Sequence, residues 1–216
     1  MTKYLITPSL YSSYIWYHDT DFYEMYHEDT EKAEQAEKQA YQDFLNCLNK
    51  VKTPTTEAQQ KGIDFETMVH EITDGIEPKG EKSEIEGANE VAKIIGVGGF
   101  WQEVLMKETD KYLLYGRSDY INKDTIYDIK RTSSYDEGKF LKSIQHQIYF
   151  EGADSLEHFK YVIAAGKSTP TVYVEYYHKE PNNLETLLGK VDTMVDFIKS
   201  IPEFNKAFNE NWIARG

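Results

Sequence analysis

The feature that most constrains this 216-residue chain is a change of apolar period at Gly98-Gly99. Before that pair, hydrophobic residues recur at helical spacing; after it they alternate as in strands. Ala40, Phe44 and Leu48 form a narrow edge on the polar stretch 29–50, and Phe65, Met68, Val69 and Ile72 line a second helix ending near Gly75. Residues 83–95 read as another helix. At the start, a short extended piece leads into a helix capped near Ser9. Beyond the glycines, residues 100–108, 111–121 and 125–132 are strand candidates, the last two joined by the turn Asn122-Lys123-Asp124-Thr125. Residues 135–151 carry Phe140, Leu141, Ile144 and Ile148 on one helical stripe. Residues 159–166 and 171–178 are further strands, followed by a helix from Asn183 to Ser200 and a short helical piece before Trp212. This order predicts an α/β fold: a central mixed β-sheet flanked by helices, with an N-terminal helical elaboration. One domain is expected over 1–216, with a helical part to about 95, the sheet and its helix over about 96–180, and C-terminal helices over 181–216.

The remaining composition narrows the function classes. No apolar run approaches the roughly 20 residues of a membrane span, and no secretion signal opens the chain, so a cytoplasmic protein is expected. The single cysteine, Cys47, sits in a helical pattern as a small buried or half-buried residue. It excludes an internal disulfide and a four-cysteine iron–sulfur cluster. The net charge of −13 argues against broad coating of nucleic acid. The charge is uneven, however: residues 1–100 hold 9 Lys and Arg against 19 Asp and Glu, and the rest hold 15 against 18. A local basic groove in the second part is compatible with that balance.

The turn at 122–125 sets a hairpin in which facing residue numbers sum to 247. Asp119 then lies opposite Asp128, and Arg117 opposite Lys130. Asp119, Asp128 and Lys130 share one face. Two carboxylates so paired have Cβ atoms about 4.5–5.5 Å apart and repel. A divalent cation between them removes the repulsion, and oxygen ligands of this kind suit Mg²⁺. Lys130 beside it suits metal-assisted phosphodiester hydrolysis. The bland counterpart is an exposed hairpin face dotted with charges, and spacing alone favours it.

Gly116-Arg117-Ser118-Asp119 followed by Asp128-Ile129-Lys130-Arg131-Thr132 resembles the core motif of the PD-(D/E)XK nuclease superfamily. Gln145 and Tyr149 on the next helix resemble the Q-x-x-x-Y motif of its RecB-like branch. Gly62 to His70 resembles that branch's upstream histidine helix, although the glycine here lies eight residues before the histidine. The opening residues 7–17 are similar to the serine-rich start of such proteins. The resemblance covers roughly residues 5–165, and phage and recombination exonucleases look nearest; the iron–sulfur subgroup is excluded.

The resemblance implies a restriction-endonuclease-like core and a Mg²⁺- or Mn²⁺-dependent deoxyribonuclease, exonucleolytic in phage or bacterial recombination and repair. His70, Asp119 and Asp128 become metal ligands with the carbonyl of Ile129. Lys130 becomes the residue that orients or deprotonates water and stabilises phosphate charge. Gln145, Tyr149, Arg131 and Thr132 become contacts to substrate or to metal-bound water. Glu103 and Arg117 are secondary candidates. Glu66, one turn before His70, reads as solvated, and so do Lys139 and Lys142 near Gln145. The partner implied is DNA, and an acidic face offers a docking surface for a recombinase or single-strand-binding protein. Alternatives are a catalytically silent binding module on the same fold and a nuclease for RNA or branched DNA.

Overall fold

A computed structural model describes residues 2–27 and 29–214. Strand β1 (Tyr4–Ile6) leads into α1 (Pro8–His18). The cap of α1 is Thr7 rather than Ser9: the Thr7 hydroxyl accepts from Leu10 N–H, and Pro8 occupies the first turn, where its missing donor is harmless. A short α2 (Phe22–Met25) precedes α3 (Thr30–Leu48), whose Ala40, Phe44 and Leu48 edge is buried as its pattern predicts. Helix α4 (Glu57–Thr73) starts in a capping box between Thr56 and Gln59 and ends before Gly75, which takes a φ of 74°. Helix α5 (Lys82–Ile95) completes the helical half.

The strands follow in chain order: β2 (Phe100–Trp101), β3 (Val104–Glu108), β4 (Tyr112–Arg117), β5 (Tyr120–Asn122) and β6 (Thr125–Thr132). Helix α6 (Gln145–Gly152) separates them from β7 (His158–Ala165) and β8 (Thr171–His178), and α7 (Asn183–Ser200) and α8 (Pro202–Asn211) close the chain. A three-stranded sheet has the order β1-β4-β3, with β1 parallel to β4. A five-stranded mixed sheet has the order β2-β5-β6-β7-β8, with β6 and β7 parallel and joined through α6.

Each of the long strands expected at 100–108 and 111–121 is broken in two, and the breaks face each other. Gln102 adopts a φ of 58°, its N–H donates to Asp119 O, and Ser118 N–H donates to Glu103 O. Across this matched break the ribbon leaves one sheet and enters the other. Arg117 therefore pairs with Val104, not with Lys130, whose neighbour is Ile163 on β7. The 122–125 turn keeps the expected register, with Asn122 opposite Thr125 and Tyr120 opposite Tyr127.

The helix expected over 135–151 begins only at Gln145. Gly138 at a φ of 81° interrupts it; Phe140 leaves the stripe to stack on Tyr161 at 4.2 Å, and Leu141 is exposed. Lys139 and Lys142 accordingly lie on a loop, where Lys142 reaches Asp19 at 3.7 Å.

Two apolar cores hold the five-stranded sheet between its helices. On one face Ile126, Phe159, Tyr161 and Ile163 pack with Ile148 and Phe150 of α6 and with α1, α3, α7 and α8. On the other, Tyr120, Ile129 and Val162 meet Phe65 and Val69 of α4 and Val91 and Ile95 of α5. At roughly 1.5–3 kcal/mol per fully buried large apolar side chain, these layers fix the sheet that carries the site. No helix among the described residues is long and apolar enough to cross a membrane.

Candidate active site

The break at Ser118–Asp119 produces the site. Past it, β5 no longer pairs with the second half of β6, so the edge of β6 from Asp128 onward is open on that side. Asp119 fills the gap: Ile129 N–H donates to its Oδ2 at 2.7 Å. Asp128, one residue earlier on β6, is buried at 1% exposure. Its Oδ1 accepts from Gln145 Nε2 at 2.5 Å. Its Oδ2 meets the Lys130 ammonium at 2.5 Å.

Electrostatics ties four groups together. Burial, then repulsion from Asp128, pushes the Asp119 carboxyl well above the ordinary range. Burial also raises Glu66, which Gln102 partly offsets by donating to Glu66 Oε1 at 2.5 Å; Asp128 raises it further. For Lys130, burial alone would lower the ammonium, but attraction to Asp128, Asp119 and Glu66 outweighs it and leaves the group above its usual value. Two acids pushed towards neutrality around a buried carboxylate, with one lysine among the three, form a site with unmet demand for positive charge. Among the described residues no three His, Cys, Asp or Glu side chains converge on one point. Mg²⁺ fits such a donor set, because it commonly takes one or two carboxylates and fills its shell with water.

The helix of Gln145 is locked to the strands. Gln145 Nε2 donates to Tyr149 Oη at 3.0 Å, and Tyr149 donates to the Arg117 carbonyl at 2.7 Å. The close approach needs Gly116, since a Cβ there would lie 2.1 Å from the Tyr149 ring. Gln145 and Tyr149 thus stand together with Asp128.

Other sequence candidates lie elsewhere. His70 is exposed, lies tilted against Trp101 at 4.4 Å between ring centres and pairs with Asp74 at 3.4 Å. Glu66, one turn earlier on α4, is the group that faces the carboxylates. Arg131 is 2% exposed and grips Glu84 with two bonds of 2.7 and 2.8 Å, tying β6 to α5. Thr132 donates to the Ser134 carbonyl and ends β6. Glu103 is exposed, with its backbone carbonyl accepting from Ser118. Arg117 is exposed on a cleft of about 580 Å³ lined also by Thr7, Ser9, Ser12 and Ser13. Lys130 lines that cleft and a second one of about 680 Å³, which carries Thr53, Thr55, Gln59, Glu66 and Asp119.

No protein-family model matches the chain, and no curated sequence is detectably similar. Solved structures share its fold. The alkaline exonuclease of Laribacter hongkongensis superposes with a TM-score of 0.54 at 7% identity, over 95% of this chain and 92% of that one. The same enzyme in complex with dAMP gives 0.50 at 9% identity over 95% and 92%. The protein SSO0001 gives 0.52 at 14% identity over 90% of this chain and 77% of that one. The chain has the restriction-endonuclease-like fold, with a mixed sheet flanked by helices.

Proposed function

We propose that the chain is a metal-dependent nuclease that hydrolyses DNA phosphodiester bonds, in the manner of an exonuclease of recombination or repair. The observation that carries this reading is the buried Asp128 carboxylate, paired with Lys130 at 2.5 Å and coupled to Asp119 and Glu66. The fold shared with an alkaline exonuclease, one structure of which holds dAMP, supports it.

Asp119 and Asp128 are the proposed ligands of Mg²⁺ or Mn²⁺, with the Ile129 carbonyl. Glu66 is placed to bind through water, in the role the sequence motif gave to His70. The bound cation supplies Lewis-acid polarisation of the phosphate and a more acidic water. Lys130, at the junction of the two clefts, donates to the scissile phosphate and stabilises the charge that develops there. The hydroxyls of Thr7, Ser9, Ser12 and Ser13 with Arg117 on one side, and Thr53, Thr55 and Gln59 on the other, offer donors to a phosphate backbone passing Lys130. This confines positive and hydrogen-bonding contacts to one groove, as an acidic chain requires.

The test is degradation of end-labelled linear DNA in Mg²⁺. The native chain shortens it from its ends while a closed circle survives, and Lys130→Ala slows the reaction by roughly 100-fold or more with the fold intact. Native protein that cuts neither single- nor double-stranded DNA in Mg²⁺ or Mn²⁺ would sink the proposal.

A further inference from the structure

We infer that Tyr161 is a positioning residue whose hydroxyl fixes which end of the Gln145 amide faces Asp128. The inference takes the role of Asp128 from the nuclease reading and the rest from hydrogen-bond geometry. Tyr161 lies on β7, fully buried beneath the Phe140 ring. Its hydroxyl stands 3.1 Å from Ser143 Oγ and 3.2 Å from Gln145 Oε1. A phenol carries one hydrogen, and an amide oxygen can only accept. The Tyr161 hydrogen therefore goes to Gln145. Ser143, whose Oγ accepts from Gln145 N–H at 3.1 Å, is the other acceptor within reach of that hydrogen.

With Oε1 held there, both hydrogens of Nε2 point the other way, one to Asp128 Oδ1 and one to Tyr149 Oη. Tyr149 passes its hydrogen to the Arg117 carbonyl. The chain runs in one direction, and every donor in it has one acceptor. A reversed amide would set Oε1 against the Asp128 carboxylate, acceptor against acceptor, in a buried setting where such contacts are unfavourable. Asp128 itself favours the observed orientation while its charge is free. Once that charge is shared with a cation its hold on the amide weakens, and Tyr161 is what keeps Nε2 in place. Gln145 then caps Oδ1, and Oδ2, which faces the Lys130 ammonium at 2.5 Å, would be the oxygen left to a cation. Tyr161 acts on that choice without touching substrate.

The experiment measures Mn²⁺ affinity without DNA, and kcat and KM on linear DNA, in a double-mutant cycle. Tyr161→Phe should weaken Mn²⁺ binding by about tenfold, as loss of a group that orients a ligand does, and lower kcat with KM for DNA little changed. Gln145→Ala should lose at least as much, and the double variant should be no worse than Gln145→Ala alone, because Tyr161 acts through that amide. Ser143→Ala should keep native affinity, since the phenol hydrogen still reaches Gln145. Native Mn²⁺ affinity in Tyr161→Phe, losses that multiply in the double variant, or a loss in Ser143→Ala equal to that in Tyr161→Phe would overturn the inference. A measurement on the native protein covers a Phe variant that does not fold. Nuclear Overhauser contacts from the Gln145 amide hydrogens should reach the Tyr149 ring; contacts to the Tyr161 ring instead overturn the inference. If the native protein neither binds Mn²⁺ nor cuts DNA, the nuclease reading falls, and the amide contacts still decide the orientation.

Discussion

Ile129 N–H donates to the Asp119 carboxylate at 2.7 Å where β5 and β6 have stopped pairing. A side-chain oxygen thus replaces a strand carbonyl at the open edge of β6. The same bond holds Asp119 within reach of Asp128. Strand geometry and the acidic pair are one feature, because the break that frees the edge also turns Asp119 into it.

Asp119→Asn tests that double role. The amide oxygen can still accept from Ile129, while the charge that burial and Asp128 disfavour is gone. A carboxyl raised above its unfolded pKa destabilises the fold when ionised, so removing the charge should raise the melting temperature without metal at neutral pH. Mg²⁺ should stabilise the native chain and have little effect on the variant, whose DNA cleavage should fall by roughly 100-fold or more. Melting curves with and without EDTA give both numbers. An Asn variant as stabilised by Mg²⁺ as the native chain would remove Asp119 from the ligand set.

Arg131 separates a structural role from the substrate role that its motif position implies. Its guanidinium is buried against Glu84, which also receives Lys61 at 3.0 Å, and these contacts hold Glu84 below the usual carboxylate range. Arg131→Ala leaves a buried carboxylate with only the lysine and should cost about 3 kcal/mol in denaturant unfolding. DNA affinity of the folded fraction should stay close to native. Unchanged stability with weakened DNA binding would return Arg131 to the substrate groove.

The sequence and the structure agree where a local signal sets the geometry. The short turn at Asn122–Thr125 leaves one register, which could be read from numbering and holds as far as Tyr120 opposite Tyr127, one residue short of Asp119 and Asp128. The strand break could not, because it depends on Gln102, a non-glycine residue at positive φ, and on its bond to a second chain segment. That Glu66 and not His70 turns towards the sheet was legible in principle. At about 100° per residue, Glu66 lies roughly 80° from the centre of the buried Phe65–Val69 arc and His70 roughly 120°. The shorter angle brings Glu66 to the sheet and leaves His70 at the surface beside Trp101. The stripe Phe140, Leu141, Ile144 and Ile148 imitated a helix because Phe140 has its own partner, the Tyr161 ring, far along the chain.

Gly116 is held to glycine by contact rather than by backbone angle. An added Cβ would lie 2.1 Å from Tyr149 Cε1, and Tyr149 is pinned to Arg117 and Gln145. Gly116→Ala should therefore destabilise by about 1–3 kcal/mol, the range for overpacking in a filled core. It should also lower DNA cleavage by shifting the Gln145–Tyr149 pair. Gly116→Ala with Tyr149→Leu should recover stability and leave activity low. Recovery of activity as well would show that the pair serves packing alone.

His146 gives the fold an acid limit. Its ring stacks on Tyr177 at 4.3 Å, its buried Nδ1 has no hydrogen bond, and burial, then Lys190, pushes its pKa down to about 4 from 6.5. The unfolded chain takes a proton near pH 6.5 and the folded chain only near pH 4. The stability from keeping the ring neutral is thus fully present above pH 6.5 and is lost as pH falls through that window. With the ring in partial contact with solvent, the loss attributable to His146 should be on the order of 2 kcal/mol. His146→Phe keeps an aromatic ring on Tyr177 and removes the titration. Urea unfolding at several pH values should show a smaller decline for the variant over that window, with the two curves parallel above it; equal declines would assign the acid sensitivity to other groups.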